Sequence, residues 1–223
     1  MTQEKPAGAR LLELVAVMSR LRRECPWDAK QTHETLAPHL LEESYEALEA
    51  LESGDPDALR EELGDVLLQV LLHARLAENL PEGKSWTVDD VAGTLVDKMV
   101  RRNPHVFSGE PAGSIEEIEA NWERIKRAEK TRDSVLDGIA LSQPALSLAA
   151  KILDRAGRVG LAVPPPLAES QADPEARLGA SLLATVAAAR QAGIDPEAAL
   201  RRATLAYAEA IRAAERPTPT NPA

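Results

Sequence analysis

The sequence predicts an all-α protein, and three observations carry that expectation. Aromatic residues make up 3% of the 223-residue chain, with one Phe and two Tyr, so the core must be built from Leu, Ala and Val. Leu and Ala are strong helix formers, and β-branched residues rarely alternate here as a half-buried strand requires. Apolar residues recur instead at the three-and-four spacing of a helix face. A hydrophobic fraction of 44% against 28% charged residues supports a folded core and argues against disorder overall.

The helices can be justified in order. Leu11 to Arg23 places Leu11, Leu14, Val15, Met18 and Leu21 on one face, and Cys25-Pro26-Trp27-Asp28 breaks the pattern. A second helix is expected from about Thr35 to Glu52, ended by the turn residues Ser53-Gly54-Asp55. Asp55 before Pro56 reads as an N-cap with proline at the first helical position, opening a third helix that runs to about Glu78. Thr87, three residues before Asp90, forms a capping box for a fourth helix ending near Arg102, where Asn103-Pro104 stops it. Ser114 to about Thr131 carries Ile115, Ile118, Trp122 and Ile125 at helical spacing. Ala145 to Leu161, Arg177 to Gln191 and Pro196 to Arg216 are further helices, the last two rich in alanine. The expected organisation is a first helical domain at 8–133, a linker at 134–144, a smaller helical region at 145–216 and a frayed tail at 217–223. Val163 to Pro174 is proline-rich and expected to be irregular.

Charge and cysteine content exclude several classes of function. The net charge of −10 disfavours binding of a nucleic-acid polymer, whose phosphates an acidic surface repels. Cys25 is the single cysteine, which leaves no intrachain disulfide and no cysteine-rich zinc site. Gln69, His73 and Arg75 interrupt the longest apolar stretch, 66–77, so no membrane span is expected. Glu13 breaks the N-terminal apolar segment, unlike a secretory signal, and a soluble cytoplasmic protein is the expectation.

The strongest chemical signal is Glu42-Glu43-x-x-Glu46, followed after the turn by Glu62-x-x-Asp65. Residues three apart share a helix face, so Glu43 pairs with Glu46 and Glu62 with Asp65. The pairs are symmetric about Gly54: Glu43 and Asp65 are equidistant from it, as are Glu46 and Glu62. In an antiparallel helix hairpin such residues lie side by side, which brings four carboxylates together. Isolated acids of this kind are usually a solvated face. The third helix argues otherwise, because Leu63, Val66, Leu67, Leu68, Val70, Leu71, Leu72, Ala74 and Ala77 cover nearly its whole circumference. Glu62, Asp65, Gln69 and His73 form its polar strip. Acids facing acids on a buried helix repel and lose hydration, and a hard divalent cation, Mg²⁺ or Mn²⁺, relieves both. His73 lies two turns beyond Asp65 and is expected to hydrogen-bond in the core. A cation held by a few carboxylates usually shares its shell with phosphates. Candidate phosphate partners are Lys98, Arg101 and Arg102, with Lys126 and Arg127 beyond them, while Trp27 or Trp122 could stack on a base.

Together these residues resemble the MazG family of all-α nucleoside triphosphate pyrophosphohydrolases. The matching pieces are Cys25-Pro26-Trp27-Asp28 with Gln31-Thr32, Glu42-Glu43-x-x-Glu46, Glu62-Leu63-Gly64-Asp65, Asp97-Lys98-x-x-Arg101-Arg102-x-Pro104-His105-Val106-Phe107 and Trp122-x-x-Ile125-Lys126. The resemblance implies a Mg²⁺-dependent enzyme that cleaves the α–β bond of nucleoside triphosphates, working as a homodimer or higher homo-oligomer. It implies Glu43, Glu46, Glu62 and Asp65 as metal ligands and Glu42 as the acid that positions or deprotonates the attacking water. Lys98 and Arg101 would contact phosphates, Lys98 as a catalytic group, with Trp27 and Lys126 completing the substrate site.

The second half departs from this pattern. Leu178-Gly179-Ala180-Ser181-Leu182-Leu183 resembles Leu63-Gly64-Asp65-Val66-Leu67-Leu68, but Arg177 and Ala180 stand where Glu62 and Asp65 would match, and Ala206 stands for Lys98. A degenerate repeat without metal or catalysis is expected there. Two other classes of function remain at this level: a non-catalytic nucleotide or alarmone sensor that kept the fold, and a helical oligomerisation scaffold with an acidic patch.

Overall fold

The computed structural model describes residues 6–129, 133–161 and 173–216, and every regular element among them is a helix. The chain divides into two compact units, Met1–Glu129 and Lys130–Ala223.

The first unit contains α1 (Ala9–Glu24), α2 (Pro26–Lys30), α3 (His33–Ser53), α4 (Pro56–Ala77), α5 (Val88–Arg102), α6 (Pro104–Phe107) and α7 (Ile115–Ala128). Their starts are chemically marked. Thr32 and Thr35 exchange side-chain and backbone hydrogen bonds at the head of α3. Thr87 with Asp90 and Ser114 with Glu117 do the same for α5 and α7. The Asp55 carboxylate accepts from the backbone N–H groups of Asp57 at 2.9 Å and Ala58 at 3.3 Å, opening α4 as its position before Pro56 predicts. Gly54 closes α3 with φ 73°, a left-handed conformation that glycine adopts without strain.

Two short helices were not expected. Pro26 and Pro104 do break the preceding helices, but each then takes the first position of a new one, α2 and α6. Proline is tolerated there because the first N–H has no helical partner to lose. The Cys25–Asp28 segment is accordingly a helix start rather than a plain break, with Asp28 buried and Trp27 half exposed.

Met18, Leu36, Leu71 and Leu72 form the buried centre of this unit, packed around by Leu14, Val15, Leu67, Leu68, Leu76 and Val88. These residues come from α1, α3, α4 and the first turn of α5, so the core lies along the α3–α4 hairpin, whose two helices share the most extensive contact in the unit. The expectation that α4 is apolar and buried all round holds for its C-terminal half, where Gln69, Leu71, Leu72, Ala74 and Ala77 are buried. It does not hold for Leu63 and Val70, which are 52% and 37% exposed. The neighbours of α4 among the described residues are α1, α3 and α5, too few to enclose its full circumference.

The second unit contains α8 (Ala145–Arg158), α9 (Pro174–Gln191) and α10 (Pro196–Glu215), with α8 packed on both others. Asp154 of α8 pairs with Arg190 of α9 at 2.6 Å and with Arg158 at 2.9 Å. Asp173 and Asp195 cap α9 and α10 ahead of Pro174 and Pro196. The segment 134–144 contains turns and no helix. Most of the proline-rich stretch 163–174, the tail 217–223 and the last residues of the helix expected to reach Thr131 lie outside the described residues. Among the described residues no helix is long and apolar enough to cross a membrane.

Candidate metal centre

Gly54-Asp55 joins α3 and α4 with a turn short enough to fold them back on each other, and the symmetry seen in the sequence becomes a contact. Glu43 of α3 meets Glu62 and Asp65 of α4, with one oxygen from each lying within 4.8 Å of the others. All three side chains are half buried. Two oxygens on one octahedral Mg²⁺ lie about 3–4 Å apart at metal–oxygen distances of about 2.0–2.1 Å. A small closure of this trio meets that geometry, and the all-oxygen donor set suits a hard divalent cation.

The electrostatics of the trio are those of acids gathered without a counter-charge. Partial burial, then the charges of Asp65 and Glu46, push the Glu43 carboxyl above its ordinary range. Glu62 is pushed up by partial burial, then by Glu46 and Asp65. Glu46 therefore belongs to the same field: its charge raises both neighbours, although the trio itself does not include it. A divalent cation at the centre would reverse each of these shifts.

Glu42 sits on the exposed flank of α3, one turn from His39, whose Nδ1 lies 3.7 Å from its carboxylate. Trp27 meets His39 edge to face, with ring centroids 6.2 Å apart. The structure thus lines up Trp27, His39 and Glu42 in succession. The sequence reading did not single out His39, although its place three residues before Glu42 put it on the same face.

The expected phosphate partners fall into two groups. Lys98 makes no ion pair among the described residues and lines an open hollow of about 420 Å³ with Trp86, Asp90, Val91, Thr94 and Leu95. Arg101 and Arg102 are engaged instead, both donating to Glu129 just beyond α7. Arg102 and Lys126 each place a cationic head 4.7 Å from the centre of the Trp122 ring, and Lys126 also pairs with Glu123 at 3.1 Å. Trp122 is therefore a mount for cations. Glu129 was missed from sequence. The signal available was its position seven residues after Trp122 and three after Lys126, on one helix face.

His73 does hydrogen-bond in the core. Its Nδ1 lies 2.8 Å from Nδ1 of His33, the rings stack 4° from parallel, and burial followed by the His33 charge lowers its pKa below the ordinary value. This pair ties the head of α3 to the fifth turn of α4, at the far end of the hairpin from Gly54.

A helix hairpin that gathers carboxylates, with Lys98, Arg101 and Arg102 toward the end of the helix packed beside it, defines the first unit as an all-α bundle with a candidate acidic metal site. Known proteins narrow that class. The profile of the MazG nucleotide pyrophosphohydrolase domain matches residues 31–107, a span that includes Glu42, Glu43, Glu46, Glu62, Asp65, Lys98 and Arg101. The chain is 49% identical over 209 residues to an uncharacterized 26.1 kDa protein in the blaB 3′ region of Streptomyces cacaoi, covering 93% of this chain and 84% of that one. It is 51% identical over 154 residues to a nucleoside triphosphate pyrophosphohydrolase of Mycobacterium tuberculosis, covering 69% of this chain and 47% of the relative. The chain thus spans about half the length of that mycobacterial relative. A solved mazG-related protein from Thermotoga maritima shares 35% identity, with 52% of this chain covering 96% of that one at a TM-score of 0.44. The chain belongs to the MazG family.

Proposed function

We propose that this chain is a divalent-metal-dependent nucleoside triphosphate pyrophosphohydrolase. In this reading it hydrolyses the α–β bond of nucleoside or deoxynucleoside triphosphates, giving a monophosphate and pyrophosphate, and so clears nucleotide pools in the cytoplasm. The convergence of Glu43, Glu62 and Asp65 inside the segment that matches the family supports it most directly. The name of the mycobacterial relative, a nucleoside triphosphate pyrophosphohydrolase, agrees with it.

Glu43, Glu62 and Asp65, with Glu46 beside them, would hold Mg²⁺, or Mn²⁺ in its place. A bound cation supplies neutralisation of phosphate charge and makes water more acidic. The chain's own residues then have distinct tasks. Glu42, exposed and adjacent to the trio on α3, takes the proton of the attacking water. The water oxygen forms the new bond to phosphorus at the α–β linkage. The bridging P–O bond breaks, and pyrophosphate leaves with its electron pair. Lys98, without an ion-pair partner among the described residues, neutralises the departing phosphates, and Arg101 acts beside it. Trp27, half exposed next to His39, offers a face for the base, and Lys126 adds positive charge.

The same reading makes the active form a homodimer or higher homo-oligomer. Leu41, Leu48 and Leu51 of α3 and Leu63 and Val70 of α4 are exposed along the hairpin, apolar side chains that a second copy would cover. Residues 145–216 act as a degenerate repeat, with Arg177 and Ala180 in place of the acids, that serves packing and not catalysis.

Product analysis of mixed triphosphates, with and without Mg²⁺, tests this function. Monophosphate and pyrophosphate that appear with Mg²⁺ and vanish in Glu43→Gln are the expected result. Intact triphosphates, with Mg²⁺-dependent nucleotide binding still measurable, would favour the sensor and refute the hydrolase.

A further inference from the structure

Adjacent arginines on a helix are usually treated as one basic patch, yet Arg101 and Arg102 differ here in almost every physical respect. Arg102 is 10% exposed and forms a fork with Glu129, Nε to Oε1 at 3.0 Å and Nη2 to Oε2 at 2.6 Å. Its guanidinium also lies over the Trp122 ring. A two-pronged carboxylate contact combined with an aromatic face fixes the group in place. Arg101 is 51% exposed and brings Nε and Nη2 to the single oxygen Oε1, at 2.9 and 2.7 Å. Its Nη1 takes no part in this contact. An open hollow of about 470 Å³ adjoins it, lined by Arg101, Ile125, Ala128 and Glu129. One carboxylate thus faces two guanidinium groups, leaving the cluster with a net positive charge. Glu129 is held ionised by the same contacts, with its pKa lowered to about 2 by the Arg102 and then the Arg101 hydrogen bonds.

We propose that Glu129 is a positioning residue for an anion subsite, holding Arg102 as a fixed strut and aiming the half-exposed Arg101 at a phosphate group of the substrate. The proposal rests on the hydrolase reading for the identity of the substrate and deepens it by assigning separate tasks to the two arginines. A guanidinium on a flexible stem loses several rotamers when it grips an anion. A carboxylate that already restrains Nε and Nη2 removes part of that loss, while Nη1 stays available to the incoming oxygen. Neutralising Glu129 therefore weakens anion binding, although it removes a negative charge from the site. A carboxylate that merely competed with phosphate would give the opposite sign.

Inorganic pyrophosphate with Mg²⁺, titrated calorimetrically into the full chain, reads this subsite without requiring turnover. Arg101→Ala and Glu129→Gln are each expected to weaken pyrophosphate about tenfold. The double variant should be no weaker than Arg101→Ala alone, because Glu129 acts through Arg101. In turnover, Glu129→Gln should lower kcat/KM about tenfold, and Glu129→Asp, which keeps the carboxylate, should recover part of that loss, a rescue that general loosening of the fold would not give. Tighter or unchanged binding by Glu129→Gln, or additive losses in the double variant, overturns the assignment. If Glu129→Gln fails to fold, the exposed Arg101→Ala decides alone: affinity equal to wild type refutes the subsite. Failure of the hydrolase reading is seen separately, as absence of monophosphate in the product assay while the pyrophosphate pattern persists.

Discussion

Asp65→Asn removes one negative charge from the carboxylate trio while preserving the shape of the side chain, and its effect on stability should change sign with metal. Without metal, the Asp65 oxygen lies within 4.8 Å of the Glu43 oxygen. Two unit charges at that separation repel by about 1 kcal/mol even with the screening of bulk water. The variant should therefore be the more stable protein in EDTA, by about 3–5 °C in melting temperature for a unit of this size. With Mg²⁺ at one hundred times its Kd, the wild type gains about 2.7 kcal/mol through linkage, and the variant forfeits most of that gain. The order of the two melting curves should invert between EDTA and saturating Mg²⁺, as followed by differential scanning calorimetry at pH 7.5. A variant less stable than wild type in both conditions, with no response of either protein to Mg²⁺, would show that Asp65 has a structural partner and that the acids do not form a cation site.

Three further outcomes test other parts of the molecule. Lys98→Ala should lower kcat for triphosphates by one to two orders of magnitude with unchanged helix content, as steady-state kinetics and circular dichroism would show, and full activity would remove Lys98 from the site. His73 is held neutral by burial and by His33, so an unfolded chain takes up its proton more readily than the folded one. The stability this gives is fully present above pH 6.5 and is lost as pH falls below it. Melting temperatures between pH 7.5 and 5 should drop more steeply in wild type than in His73→Gln, and parallel profiles would contradict the assignment. Truncation after Gly160 should leave measurable hydrolysis if the second unit only packs, whereas total loss with the first unit still folded would mean that α9 or α10 completes the site.

The helices were legible in sequence because their boundaries are chemical. Thr87 with Asp90, Asp55 before Pro56 and Gly54 at the end of α3 act locally, through backbone groups a few residues away. The carboxylate site was legible for a related reason. A hairpin closed by a two-residue turn converts sequence distance from Gly54 into spatial register, so Glu43 and Asp65 could be paired without a structure. What escaped the reading depends on partners distant along the chain. Glu129 is one acid among many until Arg101 and Arg102, more than 25 residues earlier, close on it. The exposure of Leu63 and Val70 is invisible to periodicity, which reports apolar residues and not whether a neighbouring helix covers them. The short helices α2 and α6 were hidden because proline ends one helix and begins the next with the same ring.

The hairpin that gathers the acids is also the most local long contact in the first unit, since α3 and α4 are consecutive and joined by two residues. Local pairings of this kind form early, ahead of those that must close longer loops. On the path to the native state, Glu43 and Asp65 are therefore expected to meet before α5 and α7 dock, so that their repulsion contributes to the folding barrier. Interactions present at the barrier alter the folding rate, whereas those made later alter mainly the unfolding rate. If the acids hold Mg²⁺ as proposed, the cation in a refolding buffer should accordingly speed the folding of this chain.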